Sequence, residues 1–198
     1  MLRMKSKRIH RLLELKEEVC SIRKYELFDE IELIHKNIVT SVPLKMYPQE
    51  RDWTCSIGCI RTILSGLIEN VPSENSIIDM YAMTPRPYYS SDIKKINILD
   101  EYEVLYGCDY SKVNFDDILE ICLNGYYVML ECMVNYSHWM VLLGYYPLST
   151  GKVEESKLLF FDPYYNEIKL INTDEFISMW IDGDFKNSKV KNDFVAVK

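Results

Sequence analysis

The sequence predicts an α+β fold, and three observations carry that prediction. Up to Gly125 the apolar residues recur mostly at helical spacing, while beyond it they gather into short runs rich in aromatic and β-branched residues. Helices first and strands second is the order of an α+β chain. The third observation is size: 198 residues, 48% of them hydrophobic and 27% charged, suit one compact domain with at most a helical appendage.

Taken in chain order, residues 4–36 read as one or two amphipathic helices, with Leu12, Leu13, Leu15, Val19, Cys20 and Ile22, then Leu27, Ile31 and Ile34, set among charges. Residues 1–42 are assigned to this N-terminal extension, a cover or docking element for a partner protein, and 43–198 to the main domain. Pro43 and Pro48 then discourage helix, and a new helix is expected to begin between Trp53 and Cys55. Along it Ile57, Cys59, Ile60, Ile63, Leu64 and Leu67 mostly share one side, which marks a buried central helix ended by Gly66 and "ENVPSEN". Residues 72–124 look like shorter helices and loops. "SENSIIDMYAM" is helical, "TPRPYYSSD" is a loop, and "NFDDILEICLNG" has an Asn114 cap and a Gly125 stop. The runs "YYVMLECMV", "HWMVLLGYY", "KLLFFD", "NEIKLI" and "DFVAVK" read as an antiparallel sheet. Between the last two, Asn172 followed by Glu175 signals a short helix over "NTDEFISMW".

Charge and cysteine usage exclude several function classes. A formal net charge of −7 repels phosphate backbones, so nucleic acid is a poor partner. Residues 1–11 are basic, but Glu14, Glu17 and Glu18 follow at once with no apolar core or small-residue cleavage site, so an export signal is not expected. No run approaches the ~18 consecutive apolar residues of a membrane span, and a cytoplasmic location is expected. The six cysteines, Cys20, Cys55, Cys59, Cys108, Cys122 and Cys132, show no paired metal-ligand spacing. Neither a metal nor a cofactor is expected, and most of these thiols read as buried, reduced filler.

One cysteine differs by position. Cys55 sits where a helix begins, and a helix N-terminus favours the thiolate, the nucleophilic form of the side chain. A neighbouring imidazole completes the activation by taking the proton. Of the three histidines, His10 lies in the basic segment and His35 in a charged helix, whereas His138 opens an apolar strand and is the natural base. Asp162 closes the next strand at an end that a hairpin would bring beside the start of the His138 strand, so it is the expected acceptor that fixes the imidazole, with Asn166 as fallback. Gln49, six residues before Cys55, offers a side-chain amide that together with a backbone N–H can stabilise an oxyanion. Trp53 and Trp139 flank the two central residues and are candidate substrate contacts, with packing in the sheet as the competing reading for Trp139. Cys59, one turn beyond Cys55, reads as core. "TPRPYYSSD" reads as a surface loop or the lining of a substrate groove.

Taken together, Gln49, "CSIGCIRTIL", "HWMVLLGYY", "FFDPYYNEI" and "TDEFISMW" resemble the papain-like bacteriocin-processing (double-glycine) peptidase family. That family shows a Gln, a "DCGxAC" helix start, "HxVVxxG" and "DP". The resemblance covers about residues 46–195. It implies a papain-like fold, with a central helix carrying the Cys packed on an antiparallel sheet carrying the His and Asp. It also implies Cys55 as nucleophile, His138 as general base, Asp162 as its orienter and Gln49 as oxyanion donor, acting on a small-residue, Gly-Gly-like peptide site. Thr54 and Ser56 stand where the family usually has Asp and Gly. "QERDWTCSIGC" is similar, too, to the "DWDCGLAC" stretch of the guanylyl cyclase domain-containing family, which shares the scaffold. No Gly-rich phosphate loop or paired metal carboxylates accompany it here.

Three functions fit this reading. The first is a cysteine peptidase or amidase that hydrolyses an acyl-enzyme, with a peptide or protein as substrate. The second is an acyltransferase or transglutaminase-like enzyme that passes the same acyl group to an amine. The third is a non-catalytic papain-like domain that binds a peptide or partner, a reading kept open by Thr54 and Ser56.

Overall fold

The computed structural model describes residues 41–133, 137–146, 156–183 and 189–198. The helices expected over 4–36, with His10, Cys20 and His35, lie outside the described residues.

Five α-helices and eight strands make up the described structure: α1 (Cys55–Leu64), α2 (Glu74–Met80), α3 (Ser90–Ile96), β1 (Val104–Tyr106), α4 (Phe115–Leu123), β2 (Tyr127–Met133), β3 (Ser137–Tyr146), β4 (Lys157–Asp162), β5 (Glu167–Asn172), α5 (Thr173–Met179), β6 (Ile181–Gly183), β7 (Lys189–Lys191) and β8 (Phe194–Val197). The expected α+β class is observed. Six strands form one antiparallel sheet in the order β1-β8-β2-β3-β4-β5, and β6 and β7 pair separately.

Side chains alternate across a strand, and both faces of this sheet are covered. One face carries Met129, Trp139, Val141, Leu159, Phe161 and Val195 against Ile57, Ile60 and Ile63 of α1, Ile77 of α2 and Ile93 of α3. The other carries Val128, Leu130, Met140, Leu142, Phe160 and Ala196 against Phe115 and Ile118 of α4 and Phe176 of α5. Burial on both sides is why β2 and β4 read as near-continuous apolar runs rather than alternating ones. On the second face Phe160 and Phe176 approach to 4.7 Å between ring centroids, and Phe115 meets Trp180 edge-on at 6.2 Å.

Two readings of the segment before the sheet are corrected. Residues 72–124 are not only helices and loops: Val104–Tyr106 forms β1, joined to the sheet through the C-terminal strand β8. "TPRPYYSSD" is not loop throughout, because α3 starts at Ser90. Tyr89 precedes it without a side chain of the usual capping type, and Asp92 does the capping, accepting from the Tyr89 N–H at 3.3 Å while both its oxygens hold Arg86 at 3.0 Å. The Ser90 N–H is taken by the buried carboxylate of Asp193, at 2.8 Å. No helix among the described residues is long and apolar enough to cross a membrane.

Antiparallel pairing sets the geometry from which the site is built. Cys132 of β2 stands opposite His138 of β3, and Phe161 of β4 stands opposite Val141, so the end of β2, the start of β3 and the end of β4 lie together at one end of the sheet.

Candidate active site

Cys55 is the first residue of α1, partly exposed, at the N-terminus of a 10-residue helix with no acidic residue in its first turn. The hydroxyl of the preceding Thr54 does not cap the helix. It closes the turn before it, accepting from Arg51 N at 3.1 Å and donating to Arg51 O at 2.9 Å, and Thr54 is fully buried. The positive end of the helix dipole is thus directed at Cys55 and the backbone N–H groups beside it.

His138, 4% exposed, donates from Nε2 to Asp162 Oδ1 at 2.9 Å, and the Cys55 side chain lies close enough to the imidazole to raise its proton affinity. With Nε2 given to Asp162, Nδ1 is the ring nitrogen left to serve Cys55. Asp162, 1% exposed, is held from four directions. Its Oδ1 also accepts from Tyr164 N at 2.9 Å and Tyr165 N at 3.4 Å, and its Oδ2 accepts from Lys169 Nζ at 2.6 Å. The two backbone bonds come from the turn that joins β4 to β5, where Asn166 takes the left-handed conformation at φ 52°. Asn166 is therefore an exposed turn residue, and the acceptor for His138 is Asp162.

The electrostatics follow from these contacts. Burial disfavours a charged imidazole, but the hydrogen bond to Asp162, the neighbouring Cys55 side chain and the negative charge of Asp162 outweigh it and push His138 from its ordinary 6.5 up to about 9. Burial likewise favours a neutral Asp162, yet His138 and Lys169 hold its carboxyl down at about 2. The buried thiols nearby go the other way: burial, then the charge on Cys55 and Asp162, pushes Cys59 well up, and burial with Glu131 and Asp162 pushes Cys132 up. Cys59 and Cys132 are thus neutral core thiols.

Gln49 sits beside the same residues. Its backbone N–H donates to Pro163 O at 3.0 Å, which ties it to the residue after Asp162. The segment leading to it is laced to α1 by buried hydroxyls, Lys45 N donating to Ser65 Oγ at 2.8 Å and Tyr47 N to Thr62 Oγ1 at 2.9 Å. On its far side the loop is held by Glu74, fully buried, which accepts from Glu50 N at 2.8 Å and pairs with Arg51 at 3.0 Å. The Gln49 amide donates from Nε2 to Arg51 O at 2.7 Å, which leaves its second N–H for another acceptor. Its Oε1 is buried and makes no hydrogen bond among the described residues.

The two tryptophans separate. Trp53, two residues before Cys55, is partly exposed with its ring 6.3 Å from that of Tyr88. Trp139 is fully buried, and its indole N–H donates to Tyr88 O at 2.6 Å, so a substrate contact for it is corrected to a core position. Adjacent residues of a strand point to opposite faces, which is why the neighbour of His138 turns away from it.

Three residues escaped sequence reading. Tyr164, 42% exposed, meets the His138 ring edge-on at 6.4 Å. Lys169 is the second cation on Asp162. Gly58 has no room for a side chain, since a Cβ there would lie 2.9 Å from Pro163 Cβ and 3.2 Å from Gln49 N. A helical glycine one turn after a helix-start cysteine was the only signal available for the last. Among the described residues no group of three His, Cys, Asp or Glu side chains is arranged to hold a metal ion. Compared with protein-family models and with curated proteins, the chain finds no match.

Proposed function

We propose that the protein is a papain-like cysteine peptidase or amidase acting through Cys55, His138 and Asp162, with Gln49 as oxyanion donor. The observation that carries this reading is the buried His138 imidazole, bonded to Asp162 at 2.9 Å and with the side chain of a helix-start cysteine close enough to raise its proton affinity. The scaffold reading rests on α1 packed against the antiparallel sheet, with the cysteine on the helix and the other two residues on adjacent strands.

In this mechanism His138 takes the Cys55 proton and the resulting thiolate attacks the carbonyl carbon of an amide. The tetrahedral oxyanion forms beside the Cys55 backbone N–H and the second N–H of Gln49. The imidazolium, oriented by Asp162, then gives its proton to the leaving amine, and water attacking with the help of the same imidazole releases the acyl group. A peptide segment of small residues is the substrate class the resemblance suggests. Cys55 must stay reduced for this chemistry, which a cytoplasmic setting supplies.

The test is the pH dependence of iodoacetamide alkylation at each cysteine, read by peptide mass spectrometry for wild type and His138→Ala. Cys55 reacts rapidly well below the free-thiol range near ~8.5 and loses that advantage in His138→Ala. Buried Cys59 and Cys132 and exposed Cys108 serve as controls in the same chain. A Cys55 that alkylates with the same pH profile as Cys108 sinks the enzyme and leaves a peptide-binding domain.

A further inference from the structure

The contact network of Asp162 contains a group that the triad chemistry does not require. Lys169 on β5 reaches back across the β4–β5 hairpin and donates to Asp162 Oδ2 at 2.6 Å, while its side chain stays 29% exposed. Register explains the reach: Asp162 pairs with Glu167 and Phe160 with Lys169, so the lysine lies diagonally across from the aspartate. Its ammonium is further steadied over the Tyr165 ring at 4.0 Å and lies 3.6 Å from Glu167.

We propose that Lys169 is a positioning residue of the triad, one that takes up part of the charge of Asp162 so that the His138 imidazolium is held in place without being held too tightly to act as an acid. This rests on the catalytic reading above. An Asp162 facing His138 alone would direct its whole charge at the imidazolium in a buried site, where such attraction is strong, and the proton due to the leaving amine would be retained. Sharing the carboxylate between two cations, one on each oxygen, preserves the orientation and lessens the retention. The other ionisable groups around the pair are Cys55 and Cys59 on α1, Glu131 and Cys132 on β2, Glu167 on β5, and Tyr164 and Tyr165 in the turn. None of these is a cation, so among the described residues Lys169 is the group that places a second positive charge on Asp162 beside His138.

The experiment follows the His138 imidazole by nitrogen NMR as a function of pH in the full chain, for wild type, Lys169→Gln, Lys169→Met and Lys169→Arg, with Cys55 alkylation by iodoacetamide measured in parallel. Gln keeps a donor for Oδ2 without the charge, Met removes both, and Arg keeps both. Removing a cation beside the Asp162–His138 pair raises the proton affinity of the imidazole, by about threefold or more in Lys169→Gln and Lys169→Met, while Lys169→Arg stays near wild type. A purely structural lysine predicts the opposite sign, because an unanchored Asp162 would leave His138 and its proton affinity would fall. An unchanged or lowered titration in Lys169→Gln overturns the proposal, and Lys169→Met decides it in the same way should the shorter Gln fail to fold. The titration needs no substrate, so it is separable from the catalytic reading, which stands or falls on whether wild-type Cys55 alkylates ahead of Cys108.

Discussion

Replacing Asp162 by Asn tests the pair at the centre of the site. An Asn can keep an oxygen where Oδ1 accepts from His138 and Tyr164, both at 2.9 Å, but its NH2 then faces the Lys169 ammonium, donor against donor. Turned over, it presents the NH2 to the three donors that Oδ1 now serves. Either way the buried charge is gone. The free energy at stake is read from each partner. Holding Asp162 at about 2 against an ordinary 3.8 corresponds to about 2.4 kcal/mol, and raising His138 from 6.5 to about 9 to about 3 kcal/mol, at 1.36 kcal/mol per pH unit. The two describe largely one contact from its two ends, and the larger also contains the share of Cys55, so they do not add. Lys169, partly exposed, rehydrates when its partner is lost, which keeps the total near the lower figure. Asp162→Asn should therefore lose about 2–3 kcal/mol near neutral pH. The sign of the pH dependence is fixed by the shifts. The lowered Asp162 contributes above 3.8 and loses its contribution as pH falls through about 2, while the raised His138 contributes fully below 6.5 and loses it as pH rises through about 9. The stability difference between wild type and variant should be widest between those limits and shrink toward alkaline pH. Urea unfolding at about pH 5.5, 7.5 and 10 measures it. A difference that is flat or grows toward the alkaline end would mean that the two residues do not form an ion pair, and the electrostatic account of the site would be refuted.

Further substitutions separate the roles of the surrounding residues. Gly58→Ala gains about 1 kcal/mol of helix propensity but forces a Cβ to 2.9 Å from Pro163 Cβ and 3.1 Å from Tyr47 O, for which overpacking costs of about 1–3 kcal/mol are typical. A lowered melting temperature and slower Cys55 alkylation are expected, and an unchanged alkylation rate would separate this contact from the site. Glu74→Gln breaks the buried pair with Arg51 and should cost about 1–3 kcal/mol by urea unfolding, whereas a neutral result would mean that the loop before α1 is held by its other contacts, those to Thr54, Thr62, Ser65 and Pro163 among them. Gln49→Ala should lower turnover of an amide substrate by about 10²–10³-fold and leave iodoacetamide alkylation of Cys55 unchanged, because alkylation builds no oxyanion. A parallel loss in both would assign Gln49 to Cys55 activation instead.

What the sequence made legible is local. The start of α1, the stripe along it and the apolar runs of β2 to β5 are set by residues within one element, and the structure has them where the pattern has them. The unread parts depend on distant residues. Nothing in "DFVAVK" says that it inserts between β1 and β2, and α3 begins at Ser90 because Asp193, 103 residues later, accepts its N–H. The same division runs through the site. Cys55, His138 and Asp162 could be named from a helix start and two strand ends, whereas Lys169 has meaning only once the hairpin register sets it diagonally from Asp162. Glu74 lies in the first turn of α2 after Ser73, and only its full burial against Glu50 N and Arg51 makes it part of the loop that carries Gln49.

Thr54, which stands where the peptidase family that the sequence resembles usually has Asp, has a physical role in this chain. Three donors converge on the Arg51 carbonyl: Gln49 Nε2 at 2.7 Å, Thr54 Oγ1 at 2.9 Å and Thr54 N at 3.2 Å. A carbonyl oxygen has two lone pairs, so one of the three is in excess. The two from Thr54 belong to a buried turn that Arg51 N also closes, at 3.1 Å on the same hydroxyl, and they are the ones the turn depends on. An Asp in that place would accept from Arg51 N but would set a carboxylate against the Arg51 carbonyl, with no proton to give it. Thr serves both atoms. The loop is thereby closed by Thr54, Glu74 and the Gln49–Pro163 backbone bond without help from the Gln49 side chain. The amide spends one N–H on the Arg51 carbonyl and, among the described residues, buries an Oε1 that makes no hydrogen bond. For the oxyanion role proposed above, the backbone bond to Pro163 fixes where the amide sits, and its second N–H is the donor left to give.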